Sequence, residues 1–417
     1  MPNMGSENHQ IVIVGAGPGG CSTALWLARL CPRLVERTVI LEKYRHPRPK
    51  VCAGGLTTRA LRMLADMGLS LNIPHAKIDH VRLLFENHSA EMARRDCMRI
   101  VRREQFDAML ADAVRAAGFE LHEDEEALEA GFARDSCRVK TSKARYDAGV
   151  VVGADGSRGL THRCLPNYGR YPLVGLALDT PVTPGDGDDL EKGRITIDFT
   201  CNASGAAGYM WHFPFRDGKE RGYNRGIFCS LKESTNRGNT AKLLREGLRA
   251  RGVNTRGRIR GGCGGGYHPQ RRLSRPHLLL VGDAAGGNAL TGEGIAQALM
   301  YGRLAAEEIV RAFLRNDFSF RFYTARVAHS ELGRNMLDSL RIAKSFYPGG
   351  PAAAVPSITA DAALREQVAD FISGTDARTS QRGITTRMLA GCILHGTPDP
   401  RTMLKILKRF IRKTAQF

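Results

Sequence analysis

Four short apolar runs recur along the chain: "IVIVG" at 11–15, "TVILEK" at 38–43, "VVVG" at 150–153 and "HLLLVGD" at 277–283. Runs of this length without polar alternation predict strands buried on both faces of a parallel sheet. Helical spacing follows the first run, from Pro18 to about Cys31, so residues 11–43 read as a strand–helix–strand unit. "TTRALRMLADMG" predicts a further helix. Residues 103–118 predict an amphipathic one, with Phe106, Met109, Leu110, Ala113 and Val114 on one face and Gly118 at its C-terminus. Residues 44–56, rich in Pro, Gly and Arg, read as a long loop. From about 165 to 260 the texture changes to short alternating runs ("RITIDF", "GYMWHFPF", "GYNRGIFCSL"), which predict an antiparallel sheet. Beyond 292 helical patterns dominate, broken by "YPGGPAAAVP", and no tandem repeat is visible.

Composition narrows the setting. The 417 residues exceed one small core, and their 42% apolar and 25% charged content is that of a globular protein. No run of 18 apolar residues predicts a membrane span, and "MPNMGSENHQ" does not read as a secretory signal. Ten cysteines without a C-x-x-C pair argue for reduced thiols and against a zinc site, so a cytoplasmic location is expected. The formal charge of +19 favours acidic partners, yet no nucleic-acid-binding pattern accompanies it. The tail "RTMLKILKRFIRKTAQF" predicts a basic amphipathic helix over 401–417. Such a helix would either pack on its own core or lie on an anionic membrane or an acidic protein, which makes peripheral membrane association an expectation to test.

The chemistry sits in the glycine turns. "GAGPGG" places Gly15, Gly17 and Gly20 as G-x-G-x-x-G between a strand and a helix. Gly15 allows the tight turn, Gly17 the approach of a pyrophosphate, and Gly20 close helix–strand packing. Glu42, at the end of the second strand, stands where a carboxylate accepts hydrogen bonds from an adenosine ribose. A second strand-to-turn-to-helix unit, "LLLVGDAAGGNALTGEGI", lies more than 260 residues later. There Asp283 can reach a ribityl hydroxyl, and a helix beginning near Gly292 can stabilise negative charge on a reduced flavin ring. Two loops gripping the two ends of one dinucleotide explain both units.

Taken together, "GAGPGG", "VVGADGS" and "VGDAAG…TGEGI" resemble the FAD-dependent flavoprotein monooxygenase superfamily related to para-hydroxybenzoate hydroxylase. "KVCAGGL" with "YMWHFP" is similar to its geranylgeranyl-reductase-like branch, which neighbours the flavin-dependent halogenases. The resemblance spans about residues 10–315. It implies an α/β fold: a Rossmann-type FAD-binding domain (8–70, 100–160 and 275–315) interleaved with an antiparallel-sheet substrate domain (71–99 and 161–274). A helical C-terminal region (316–417) follows. It also implies roles residue by residue. Gly15, Gly17, Pro18, Gly20, Glu42 and Lys43 match the AMP half of the FAD site, and Arg103 matches an arginine reaching the cofactor from a helix start. Asp155 matches a motif linked to FAD and NAD(P)H pyrophosphate handling. Gly282 and Asp283 match the ribityl contact, and Gly292 to Gly294 the loop under the ring. Cys52 matches a cysteine beside the flavin, and Tyr209, Trp211 and Phe213 alternate on a strand whose face lines the substrate cavity. Ala289 and Phe215 depart from the branch, standing where proline and lysine are common.

The activity placed first is NAD(P)H-dependent monooxygenation of a bulky aromatic, prenylated or protein-bound substrate through a flavin C4a-hydroperoxide. The alternatives are reduction of an isoprenoid double bond, with Cys52 or a water as acid, and halogenation, for which Lys77 is the candidate lysine. No second G-x-G-x-x-G is present for NAD(P)H, so that reductant would bind transiently.

Overall fold

The computed structural model describes residues 6–8, 10–166, 173–182, 184–185, 188–218, 220–230, 234, 239–253, 259–347 and 350–374. In chain order the first half contains β1 (Ser6–Asn8), β2 (Ile11–Val14), α1 (Pro18–Leu30), β3 (Thr38–Leu41), β4 (Gly55–Thr57), α2 (Thr58–Asp66), β5 (His75–Phe85), β6 (His88–Val101) and α3 (Arg103–Ala116). Next come β7 (Glu120–His122), β8 (Ala127–Phe132), β9 (Cys137–Thr141), β10 (Arg145–Ala148) and β11 (Val150–Gly153). The second half contains β12 (Leu173–Val182), β13 (Arg194–Asp198), β14 (Gly208–Asp217), β15 (Glu220–Ser230), α4 (Thr240–Arg249), β16 (Arg260–Gly265), β17 (Ser274–Arg275) and β18 (Leu278–Leu280). Helices α5 (Ile295–Arg315), α6 (Tyr323–His329), α7 (Glu331–Phe346), α8 (Gly350–Ala360) and α9 (Ala362–Ser373) close the described chain.

The four apolar runs become neighbours in one six-stranded sheet, ordered β17-β18-β11-β2-β3-β7 and parallel except for β17. Ile11, Val12, Ile13, Val39, Ile40, Val150, Val151, Val152 and Leu278 to Leu280 are fully buried there, as strands covered on both faces must be. Helix α1 lies against α3 and α5. Its contact with α5 is close enough that a Cβ on Gly302 would stand 2.5 Å from Ser22 Oγ, and Ser22 Oγ donates to Leu299 O at 2.8 Å. The second sheet has eight strands, β16-β12-β15-β14-β13-β5-β6-β4, antiparallel except where β13 meets β5. Trp211 and Phe213 pack on one face of it with Ile195, Met98 and residues of α8 and α9. The other face carries Met210, Ile227 and Cys229 under Leu243, Leu244 and Leu248 of α4.

Three features differ from the sequence reading. The β5–β6 hairpin carries many charges, because only every second residue over much of it faces the core. A small four-stranded sheet, β1-β10-β9-β8, flanks the parallel one. The expected break at "YPGGPAAAVP" falls between the end of α7 at Phe346 and the start of α8 at Gly350, but "PAAAVP" itself lies in α8, with Pro356 inside it. Pro356 is the seventh residue of α8 and removes one backbone bond, which the alanine run favouring the helix offsets. Residues 401–417, where the basic tail helix was expected, lie outside the described residues. Among the described residues, no helix is long and apolar enough to cross a membrane.

Candidate active site

A cavity of about 890 Å³ runs between the two large sheets. Gly15, Gly17, Pro18, Glu42, Lys43, Cys52, Arg103, Asp155, Tyr209, Trp211, Phe213, Gly282, Asp283, Gly292 and Gly294 all line it. Sites far apart in sequence therefore meet in one space. Of the expected cofactor-binding residues, Gly20 stands back from the wall. A Cβ there would lie 1.9 Å from Gly15 O and 3.2 Å from Ala154 Cβ, so its job is close packing of α1 on the sheet.

At one end the Gly15–Gly17 turn opens α1. Gly15 has φ +106°, which only glycine adopts without strain. A Cβ on Gly17 would meet only Arg48 Nη2, at 3.6 Å, so its backbone faces open space. Helix α1 begins at Gly17 without a side-chain cap, leaving N–H groups for an anion. Glu42 is buried: Ala16 N–H donates to its Oε2 at 3.0 Å and Tyr44 N–H to its Oε1 at 3.1 Å. Arg48, which the sequence reading missed, bridges Glu42 Oε2 and Asp107 Oδ2 at 3.4 Å each beside Gly17. Its Nε is buried without a partner. Lys43 stands on the half-exposed rim, 4.0 Å from Glu126.

At the other end, Asp283 follows Gly282 (φ +58°) and pairs with Lys50 at 3.8 Å. Helix α5 starts at Ile295 rather than Gly292, with Gly294 as an N-cap that offers no side chain. The intervening loop is shaped by Asn288, whose Oδ1 accepts from Leu290 N at 2.9 Å and Thr291 N at 3.1 Å. Two uncapped helix N-termini, a buried carboxylate and a glycine cradle fit the diphosphate, ribose and ring of a flavin dinucleotide.

Cys52 is held from three sides. Its N–H donates to Asp179 Oδ2 at 3.2 Å, and its carbonyl accepts from Asn224 Nδ2 at 3.1 Å. Asn224 Oδ1 in turn accepts from Trp211 Nε1 at 2.8 Å, and Asp179 is gripped by Arg260 at 2.9 and 3.2 Å. Burial pushes the Asp179 carboxyl above its usual range. The third side is Arg103, whose guanidinium neighbours the Cys52 thiol. Arg103, expected to reach the cofactor, lines the cavity but is buried, and its guanidinium makes a bidentate pair with Asp107 at 2.8 and 2.9 Å. Burial alone would raise Asp107, but the charge and hydrogen bonds of Arg103 outweigh it and hold the carboxyl below its usual range.

Tyr209, Trp211 and Phe213 share one face, as their spacing predicts, and form a wall with Phe228, Ile195, Ile197, Phe371 and Ile372. Their polar atoms are already engaged: Tyr209 OH donates to Thr291 O, and Trp211 Nε1 to Asn224. Burial raises the Tyr209 hydroxyl. Asp155 lies on the wall, but its carboxylate accepts from Thr161 N at 2.9 Å and Thr161 Oγ1 at 2.6 Å, which makes it the brace of the 155–161 turn. Lys77 is exposed on β5, and it is not among the cavity-lining residues. The engaged roles of Asp179 and Asn224 had no sequence signal, because each depends on partners from distant segments of the chain. Among the described residues no cluster of His, Cys, Asp and Glu could hold a metal ion.

Residues 8–177 match the family model described as FAD binding domain. It is 27% identical to an uncharacterized protein of Methanosarcina barkeri, over 83% of this chain and 85% of that one. It is 25% identical to the digeranylgeranylglycerophospholipid reductase of Thermoplasma acidophilum, over 75% of this chain and 81% of that one. Among solved structures, a geranylgeranyl bacteriochlorophyll reductase-like protein of Thermoplasma acidophilum superposes with a TM-score of 0.73 at 20% identity, covering 92% of this chain and 100% of that one.

Proposed function

We propose that this chain is a reductase that uses FAD to saturate a carbon–carbon double bond in a large apolar, isoprenoid-type substrate. The observation that carries this reading is the aromatic and aliphatic wall facing the Cys52 loop inside the cavity. The similarity to a digeranylgeranylglycerophospholipid reductase supports it. When bound, reduced FAD supplies a hydride equivalent. Tyr209, Trp211, Phe213 and Phe228 hold the apolar chain and exclude water. Cys52 Sγ supplies the proton to the second alkene carbon, and Arg103 beside it balances the charge left on sulfur. NAD(P)H is the proposed source of electrons.

Halogenation has less support, because Lys43 and Lys50, the lysines on the described wall, face Glu126 and Asp283, and Lys77 lies elsewhere. Hydroxylation is the outcome the test separates. Protein loaded with FAD, reduced without oxygen and given geranylgeraniol, should reoxidise the flavin and yield a product heavier by two hydrogens. No reaction until air is admitted, followed by a product carrying one oxygen, would overturn reduction in favour of monooxygenation.

A further inference from the structure

Gln297, in the first turn of α5, is 3% exposed and lines the cavity. Its Nε2 donates to Glu293 Oε2 at 2.8 Å, while Glu293 Oε1 accepts from Thr57 Oγ1 at 2.8 Å. A carboxylate accepts only, so the amide nitrogen must face it and the orientation of Gln297 is fixed. That leaves Gln297 Oε1 buried and without a partner. Helix α7, which packs on α5, brings Asn335 to the same cavity, and its Nδ2 is also buried without a partner. The cavity wall thus holds one orphan acceptor and one orphan donor. Buried polar groups of this kind are rare in proteins unless a ligand or water completes them.

We propose that Gln297 and Asn335 form a subsite that binds a hydroxyl group of the substrate. A hydroxyl donates to Gln297 Oε1 and accepts from Asn335 Nδ2, satisfying both at once. A hydrocarbon leaves both unmet. A carboxylate or phosphate would face the Gln297 oxygen and the Glu293 charge. Arg59, the cation lining this part of the wall, faces Glu331 at 3.4 Å. The substrate is accordingly an apolar chain bearing a neutral alcohol. This inference rests on the reading of the cavity as an apolar substrate site.

The test uses the FAD-loaded protein, with farnesol, farnesoic acid and the hydrocarbon lacking the hydroxyl as probes, each titrated by the change in flavin absorbance. Farnesol should bind more tightly than the acid. The preference for farnesol over the hydrocarbon should fall by about tenfold in Gln297→Leu, and likewise in Asn335→Leu, the loss expected for one buried hydrogen bond left unmet. FAD affinity should stay within about twofold of wild type in both, since the subsite serves the substrate rather than the cofactor. A preference unchanged in both variants, or a loss of FAD binding in its place, overturns the subsite. If none of the three probes binds the wild type, the apolar-site reading itself falls, and the subsite with it.

Discussion

Gly17 and Gly20 belong to one turn but answer to different demands, and alanine separates them. Gly17 has φ −80° and ψ −178°, an extended conformation that alanine adopts freely. Its added methyl would find only Arg48 Nη2 at 3.6 Å, an ordinary contact. Gly17→Ala should therefore leave the unfolding free energy of the flavin-free protein within about 0.5 kcal/mol of wild type. The methyl does, however, fill the space through which a diphosphate approaches the backbone. Losing one charge-assisted hydrogen bond costs about 1.5–3 kcal/mol, or about 10- to 150-fold in the FAD dissociation constant. Gly20→Ala meets Gly15 O at 1.9 Å, a backbone atom that cannot step aside. It should destabilise the flavin-free fold by about 2–4 kcal/mol. Urea denaturation of the flavin-free proteins and FAD titration by fluorescence quenching read the two effects independently. Gly17→Ala that binds FAD like wild type would refute the placement of the diphosphate. Gly17→Ala that unfolds as readily as Gly20→Ala would refute the open-space argument.

Two further outcomes follow from buried charge. Asp107→Asn removes the partner of a buried guanidinium and should cost about 3–5 kcal/mol, whereas replacing Arg103 and Asp107 together with Leu should cost less; denaturation curves that rank the two the other way would contradict the pairing. His212 is buried, and Arg225 Nη1 donates to its Nδ1 at 2.7 Å, which fixes the neutral ring. Burial pushes its pKa down from 6.5 to about 4. A folded-state pKa below the unfolded one gives stability that is present above pH 6.5 and lost as the pH falls towards 4, up to about 3 kcal/mol from this group. Wild type should lose that much more than His212→Gln between pH 7.5 and 4; equal losses would show that His212 is not the source.

The parallel strands and their glycine turns were legible in the sequence because both rest on local rules. Buried parallel strands are unbroken apolar runs, and a turn needing positive φ at Gly15 or Gly282 demands glycine. The alternating face of Tyr209, Trp211 and Phe213 was legible for the same reason. The β5–β6 hairpin was anticipated only through the family resemblance, since its apolar positions are diluted by charges on the open face. Arg103 shows the limit most clearly. Its place at a helix start is visible in the sequence, but its approach to Cys52 depends on how α3 meets the loop after β3. The bracing of the 155–161 turn by Asp155 was not legible either, because it depends on Thr161 folding back onto it. The α8 segment was masked by its prolines, which the alanine run outweighs.

The central claim is that a single FAD spans the cavity, with its AMP half at Gly15, Gly17 and Glu42 and its ring between Cys52 and the Gly292–Gly294 loop. A crystal structure of the protein grown with FAD measures this directly. The account predicts one FAD in that direction, with the aromatic wall of Tyr209, Trp211 and Phe213 left open beside the ring. A flavin bound in the reverse direction, with its ring outside the cavity, or no flavin at saturating FAD, would contradict it.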